Sequence, residues 1–245
     1  MSAAESTFWY DEGCGEEYLT VYRHRDETEA RVVADLIRSH VSCAPGAPAL
    51  DVGCGVGRHV RFLNGYQWTV GVDISASLLH IANKTVPGAS LVRADMRSLP
   101  FRSGVFGLVV NLFTSFGYFG DDAQNHRVIA EIARVTAPGG WFVLDFLNAM
   151  RVRRTLVNFD RQKVGSVVIE QRRQISTDGN YVQKVITVVG AHRSFRERVR
   201  LFDQQDLAAM LGNYGFAVRQ TLGDYQGGPG TPDSPRAILI SQRCV

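Results

Sequence analysis

From residue 49 onward, short apolar runs alternate with longer stretches whose apolar residues recur every three or four positions. These are the spacings of strands and helices. ALDVGCG reads as a strand entering a glycine turn, and Arg58 to Leu63 opens a helix. WTVGVDIS is a second strand, SASLLHIANKT a second helix and ASLVRADM a short third strand. VFGLVVNLF is almost wholly apolar, as expected of a strand covered on both faces. A helix over Asp121 to Thr136 meets the breaker Pro138-Gly139-Gly140, and WFVLDFLN follows as a fifth strand. Alternation of this kind predicts an α/β fold with a doubly wound, Rossmann-like parallel sheet.

The flanks read differently. RVVADLIRSHV has helical spacing, FWYDEGCGEEYLTVYRHRDE ahead of it is aromatic and acidic, and SCAPGAPA breaks the chain before the first strand. Beyond the core, GSVVIEQRRQIS, NYVQKVITVVG and SFRERVRLF read as strands, with TDGN as a hairpin signal between the first two. DQQDLAAMLGNYGF returns to helical spacing, and AVRQTLGDY and RAILISQR are the final strands. One domain over 1–245 accounts for this order: an N-terminal helical lead-in over 1–48, a core over 49–150, an antiparallel β insertion over 164–202, and a C-terminal helix with strands over 203–245.

The composition is that of a globular chain, 45% hydrophobic and 21% charged. No apolar run approaches the roughly 20 residues that span a bilayer, and MSAAESTFWYDEG lacks the basic and apolar regions of a signal peptide. A soluble, cytoplasmic protein is the expectation. Cys14, Cys43, Cys54 and Cys244 are too scattered for a common zinc site and are read as free thiols. The net charge of +3 conceals an asymmetry. Residues 151–200 hold twelve Lys/Arg against four Asp/Glu, a net of +8, and the remaining chain holds fifteen against twenty, a net of −5.

The densest chemical signal is Asp51-Val-Gly53-Cys-Gly55-Val-Gly57. Glycines in a first strand–helix turn let a ligand approach the backbone. Asp73, eighteen residues after Gly55, ends the next strand, where a carboxylate can accept both hydroxyls of a ribose. A dinucleotide fingerprint, G-x-G-x-x-G/A, would need a small residue where Arg58 stands, and the side chain would obstruct packing around a pyrophosphate. The turn suits an adenosyl ligand without phosphates. Asp95-Met96 follows the third strand, Asn111-Leu112-Phe113-Thr114 ends the fourth, and Ala137-Pro-Gly-Gly140 precedes the fifth.

This set, in this order, resembles the class I S-adenosylmethionine (SAM) dependent methyltransferases. WYDEGCGEEYLTVYRHRDETEA, GVGRH, ADMRSLPF, NLFTSFGYF and DSPR resemble a bacterial subgroup acting on small molecules. The resemblance implies a seven-stranded sheet with an antiparallel last strand, a lid formed by the N-terminal segment, SAM as cofactor and S-adenosylhomocysteine as product. It further implies that Gly53, Gly55 and Gly57 line the methionine moiety, that Asp73 holds the ribose, and that Cys54 and Ile74 belong to the cofactor-binding set. Asp95 and Met96 would meet the adenine, Asn111 and Phe113 the cofactor's inner edge, and Tyr18 with Arg25 would close the lid. Arg25 reads equally as a solvated helix residue.

The sulfonium activates the methyl group, so transfer needs positioning and exclusion of water more than acid–base chemistry. Tyr10, Tyr22, His24, Tyr118 and Asp145 are candidate acid–base or positioning groups, each also readable as structural. His24 and His59 lack a third ligand at suitable spacing, so no metal is expected. The loop Thr114-Ser-Phe-Gly-Tyr118-Phe is read as substrate-facing or as an apolar cover. Arg196, Arg198 and Arg200 share one strand face, either solvated or turned to an anionic substrate. The expected partner is a small molecule, an anionic one among the options, bound by a monomer or homodimer; nucleic acid and membrane are disfavoured. The rivals are an RNA or protein methyltransferase on the same core, a non-catalytic SAM-binding protein and an NAD-dependent oxidoreductase.

Overall fold

A computed structural model describes residues 27–64, 68–190 and 193–245. The seven-stranded sheet has the order β10-β11-β5-β4-β1-β2-β3. β1 (Ala49–Val52), β2 (Thr69–Asp73), β3 (Ser90–Arg93), β4 (Phe106–Asn111) and β5 (Thr136–Leu147) run parallel, while β11 (Arg236–Arg243) pairs antiparallel with β5 and with β10 (Phe216–Leu222). This is the mixed sheet that the resemblance implied.

Every residue of β1 and β4 is buried, and alternate side chains enter opposite cores. Leu50, Val52 and Val109 pack with Val128, Ile129 and Ile132 of α4 (Asp122–Val135) and Leu207, Met210 and Leu211 of α6 (Gln204–Asn213). Ala49, Leu108 and Val110 pack with Val33, Ala34 and Ile37 of α1 (Glu27–His40) and Leu63 of α2 (Arg58–Asn64). Period-two burial on both faces explains why β4 reads as an unbroken apolar run. Between β2 and β3 runs α3 (Ala76–Thr85), started by the Ser75 hydroxyl, which accepts from the Leu78 amide.

After β5 the chain passes through α5 (Ala149–Thr155) into a second, four-stranded antiparallel sheet, β6 (Phe159–Val164), β7 (Val167–Ile175), β8 (Tyr181–Val189) and β9 (Arg193–Arg200), in that spatial order. The insertion therefore starts before residue 164. β6, FDRQKV, is an edge strand exposed along most of its length, so no apolar alternation announced it. β5 also begins earlier than WFVLDFLN suggests. Pro138 and the two glycines lie inside its first turns, beside a register irregularity between Phe106 and Leu108 of β4.

The insertion is fastened to the loop after β4. The Arg200 amide donates to Gly117 O at 2.8 Å and the Tyr181 hydroxyl to Gly120 O at 3.2 Å. The Arg200 guanidinium pairs with Asp122 at 3.0 Å and lies over the Phe202 ring. Arg196 and Arg198 remain exposed on the same sheet face, with Arg198 stacked 3.6 Å from the Tyr181 ring centroid. Of the three arginines expected on one face, one is an anchor rather than a solvated charge. No helix among the described residues is long and apolar enough to cross a membrane.

Candidate active site

The strand order reverses between β1 and β4, so the loops leaving their carboxyl ends diverge and open a crevice. The glycine turn lines one wall. Gly53 has φ +78°, and a Cβ there would lie 2.7 Å from Ser115 Cβ, so the turn and the β4 loop can only meet with glycine at this position. Gly55 has φ +55°, and among the described residues nothing lies within 4 Å of where a Cβ would stand. Gly57 differs from the place the resemblance gave it. It is buried, and a Cβ would lie 3.3 Å from Ala82 Cβ of α3, so its smallness serves helix packing.

Asp73 stands at the end of β2. Its Oδ2 accepts from Gly55 N at 2.8 Å and its Oδ1 from Ser75 N at 2.9 Å. Burial pushes its carboxyl above the ordinary value, and the amides of Ser75, Gly55 and Ile74 oppose that rise. A carboxylate has about four lone-pair sites, so it can also accept from a ribose hydroxyl. Cys54 is buried, with its thiol pushed well up by burial and then by the charge of Asp51. Ile74 is half-buried, and its carbonyl accepts from Arg93 Nε at 3.0 Å.

Asp51 is the residue for which sequence reasoning gave no separate role. It is 1% exposed, and its Oδ2 has no hydrogen-bond partner among the described residues. Burial and then Asp73 push its carboxyl up to about 7, against the pull of Arg58. Arg58 lies beside this crevice with its guanidinium 5.3 Å from the Phe113 centroid.

Asp95 is engaged by its neighbour two residues on. Arg97 Nε sits 3.0 Å from both carboxylate oxygens, the Arg97 amide donates to Oδ1 at 2.8 Å, and these contacts hold the carboxyl below its ordinary range. An adenine amino group would have to share those oxygens with Arg97. Met96 packs half-buried against the main core.

At the end of β4, Asn111 is fully buried and donates from Nδ2 to Val52 O at 2.8 Å, with Oδ1 unpartnered. Phe113 and Thr114 follow with φ 59° and 61°. Consecutive left-handed non-glycine residues cost roughly 1–2 kcal/mol each and survive only where the surroundings hold them. The Phe113 ring is framed by His59 at 5.7 Å and Tyr225 at 5.9 Å between centroids.

Asp145, a candidate acid–base group, is committed elsewhere. It is 1% exposed, pairs with Arg236 Nε at 2.7 Å, and accepts from Tyr225 Oη at 2.8 Å and Phe113 N at 2.9 Å. Its carboxylate oxygens are thus occupied by protein donors. Tyr118 is half-buried against the core beneath the insertion. Tyr10, Tyr18, Tyr22, His24 and Arg25 lie outside the described residues, as does Cys14. Cys54 and Cys244 are free thiols. No group of three or more His, Cys, Asp or Glu able to hold a metal occurs among the described residues.

Four likenesses bear on this crevice. Residues 49–140 match a family model described as a methyltransferase domain. Over 119 residues, 48% of this chain and 48% of the relative, the sequence is 37% identical to dTDP-3-amino-3,4,6-trideoxy-alpha-D-glucopyranose N,N-dimethyltransferase of Streptomyces venezuelae. The chain spans about half the length of the curated relatives it matches. Among solved structures, an S-adenosylmethionine-dependent methyltransferase from Clostridium acetobutylicum superposes with a TM-score of 0.81 at 17% identity, covering 94% of this chain and 97% of the other. The sugar N-methyltransferase KedS8 from a Streptoalloteichus species gives 0.73 at 25% identity, covering 100% of both chains.

Proposed function

We propose, from the premise that this chain carries a methyltransferase domain at residues 49–140 on the class I SAM-dependent methyltransferase fold, that it transfers a methyl group from SAM to a nitrogen of a small amino sugar borne on a nucleotide. The observation that carries the methyl-transfer half is the joining of the glycine turn to Asp73 by the Gly55 amide, with no described residue within 4 Å of where a Gly55 Cβ would stand. The nitrogen and the sugar come from the relative of Streptomyces venezuelae and from KedS8, both named as N-methyltransferases of amino or other sugars.

The residues present fit the cofactor. Gly53 and Gly55 would let the methionine portion approach the backbone, and Asp73 would accept from the ribose hydroxyls. Met96 would flank the adenine, with Phe113 and Asn111 at the inner edge. Bound SAM supplies a methyl group already activated by its sulfonium. The protein's task is then to orient an uncharged amine in line with that methyl and keep water out. The amine's lone pair would form the C–N bond as the methyl–sulfur bond breaks with its electron pair going to sulfur, and the proton the amine sheds afterwards can leave to solvent, so no dedicated base is required.

The excess positive charge of residues 151–200 supports an anionic acceptor, such as a nucleoside diphosphate sugar. Incubation with SAM and a panel of dTDP-amino sugars tests the reading. Formation of S-adenosylhomocysteine with a gain of one or two methyl groups on the sugar nitrogen supports it. Methylation of hydroxyl-only sugars, or of RNA, with no product from any amino sugar would overturn it.

A further inference from the structure

The end of β4 carries two adjacent left-handed residues, Phe113 and Thr114, neither of them glycine. Among the described residues, the Asp145–Arg236 pair makes several of the polar contacts that hold them. Asp145 Oδ2 accepts from the Phe113 amide at 2.9 Å, and the Asp145 carbonyl accepts from the Thr114 amide at 3.0 Å. Arg236 Nη2 donates to Thr114 Oγ1 at 3.0 Å, while its Nε donates to Asp145 Oδ1 at 2.7 Å. The Tyr225 hydroxyl donates to Asp145 Oδ2 at 2.8 Å. Burial and then the Asp145 charge push the Tyr225 phenol well above its ordinary range, so it stays a donor. The same two residues also frame the ring, with Arg236 Cζ 5.6 Å and the Tyr225 centroid 5.9 Å from the Phe113 centroid.

Three elements distant in sequence therefore converge on two strained residues at the switch-point crevice. An isolated structural ion pair has no need of a left-handed turn at its end, and strain of this kind concentrates where geometry serves a site. We propose that Asp145, locked by Arg236 and Tyr225, is a positioning residue that clamps the Phe113–Thr114 turn and so sets the Phe113 ring against the adenosyl ligand. The clamp rests on the methyl-transfer reading and deepens it. Asp145 acts through Phe113 and touches no reacting atom.

Arg236→Lys keeps the charge on Asp145 but loses the fork that reaches Thr114, and Tyr225→Phe removes one donor without changing shape. In the full chain, isothermal titration with S-adenosylhomocysteine is paired with amide hydrogen exchange at Phe113 and Thr114. Both variants should exchange faster at these two amides and bind about tenfold more weakly, equivalent to about 1.4 kcal/mol, with melting temperatures close to that of the parent. Should Arg236→Lys fail to fold, Thr114→Gly replaces it, since glycine relieves the left-handed backbone. That variant should bind more weakly at equal or higher melting temperature. Unchanged affinity in the folded variants, whether or not exchange accelerates, overturns the clamp as a positioning device. Failure of the unaltered protein to bind S-adenosylhomocysteine overturns the methyl-transfer reading and the clamp together.

Discussion

The amide of Gly55 donates to the carboxylate of Asp73 at 2.8 Å, tying the glycine turn after β1 to the end of β2. One residue thus shapes the turn and, on the proposed reading, would accept from a ribose. Asp73→Ala should weaken SAM binding by about 1–3 kcal/mol through lost charge-assisted hydrogen bonds. Titration calorimetry on a variant shown to be folded by circular dichroism checks this. Full affinity would remove Asp73 from the site.

The two glycines of the turn should respond differently to alanine. At Gly53 the new Cβ would lie 2.7 Å from Ser115 Cβ, so Gly53→Ala should lower stability by several kcal/mol or prevent folding. At Gly55 nothing stands within 4 Å, so Gly55→Ala should cost only the left-handed penalty of about 1–2 kcal/mol. Its larger effect should fall on SAM affinity. Thermal melts beside calorimetry separate the two, and equal melting temperatures for both variants would contradict the geometry.

Asp51 makes stability depend on pH. Its carboxyl is raised from the ordinary 3.8 to about 7 by burial and by Asp73. Below the lower value both the folded and unfolded states hold the proton; between the two, only the folded state does. Stability from this group therefore falls as pH rises through that window, by up to about 1.4 kcal/mol per pH unit. Asp51→Asn should flatten the decline. Urea unfolding at pH 4.5, 5.5 and 6.5 measures it, and parallel slopes in parent and variant would refute the shift.

Arg200 should matter more than its exposed neighbours. It pairs with Asp122 at 3.0 Å and donates to Asn180 O at 3.1 Å, whereas Arg196 faces solvent. Arg200→Ala should cost about 2 kcal/mol, and Arg196→Ala less than about 0.5 kcal/mol. Chemical denaturation ranks them, and a reversed order would mean that the insertion is fastened elsewhere.

The main sheet was legible because its signals are local. β1 and β4 are buried on both faces and read as continuous apolar runs, and the glycine turn is contiguous in sequence. β6 was not legible, since an edge strand spelled FDRQKV owes its state to pairing with β7 rather than to its own pattern. The role of Asp145 was likewise hidden. Its partners Tyr225 and Arg236 lie 80 and 91 residues away, and only the pairing of β5 with β11 brings Arg236 beside it. Asp95 was visible as an acid after β3, but nothing in the spacing indicated that Arg97 would fold back onto it.

The central claim is that the turn at Gly53 and Gly55, with Asp73, holds an adenosyl sulfonium. Titrating the full chain with SAM, S-adenosylhomocysteine and NAD tests it most directly. Saturable binding of the first two, abolished or weakened in Asp73→Ala, with no heat from NAD, is the predicted result. Binding of NAD in their place, or indifference to all three, would contradict it.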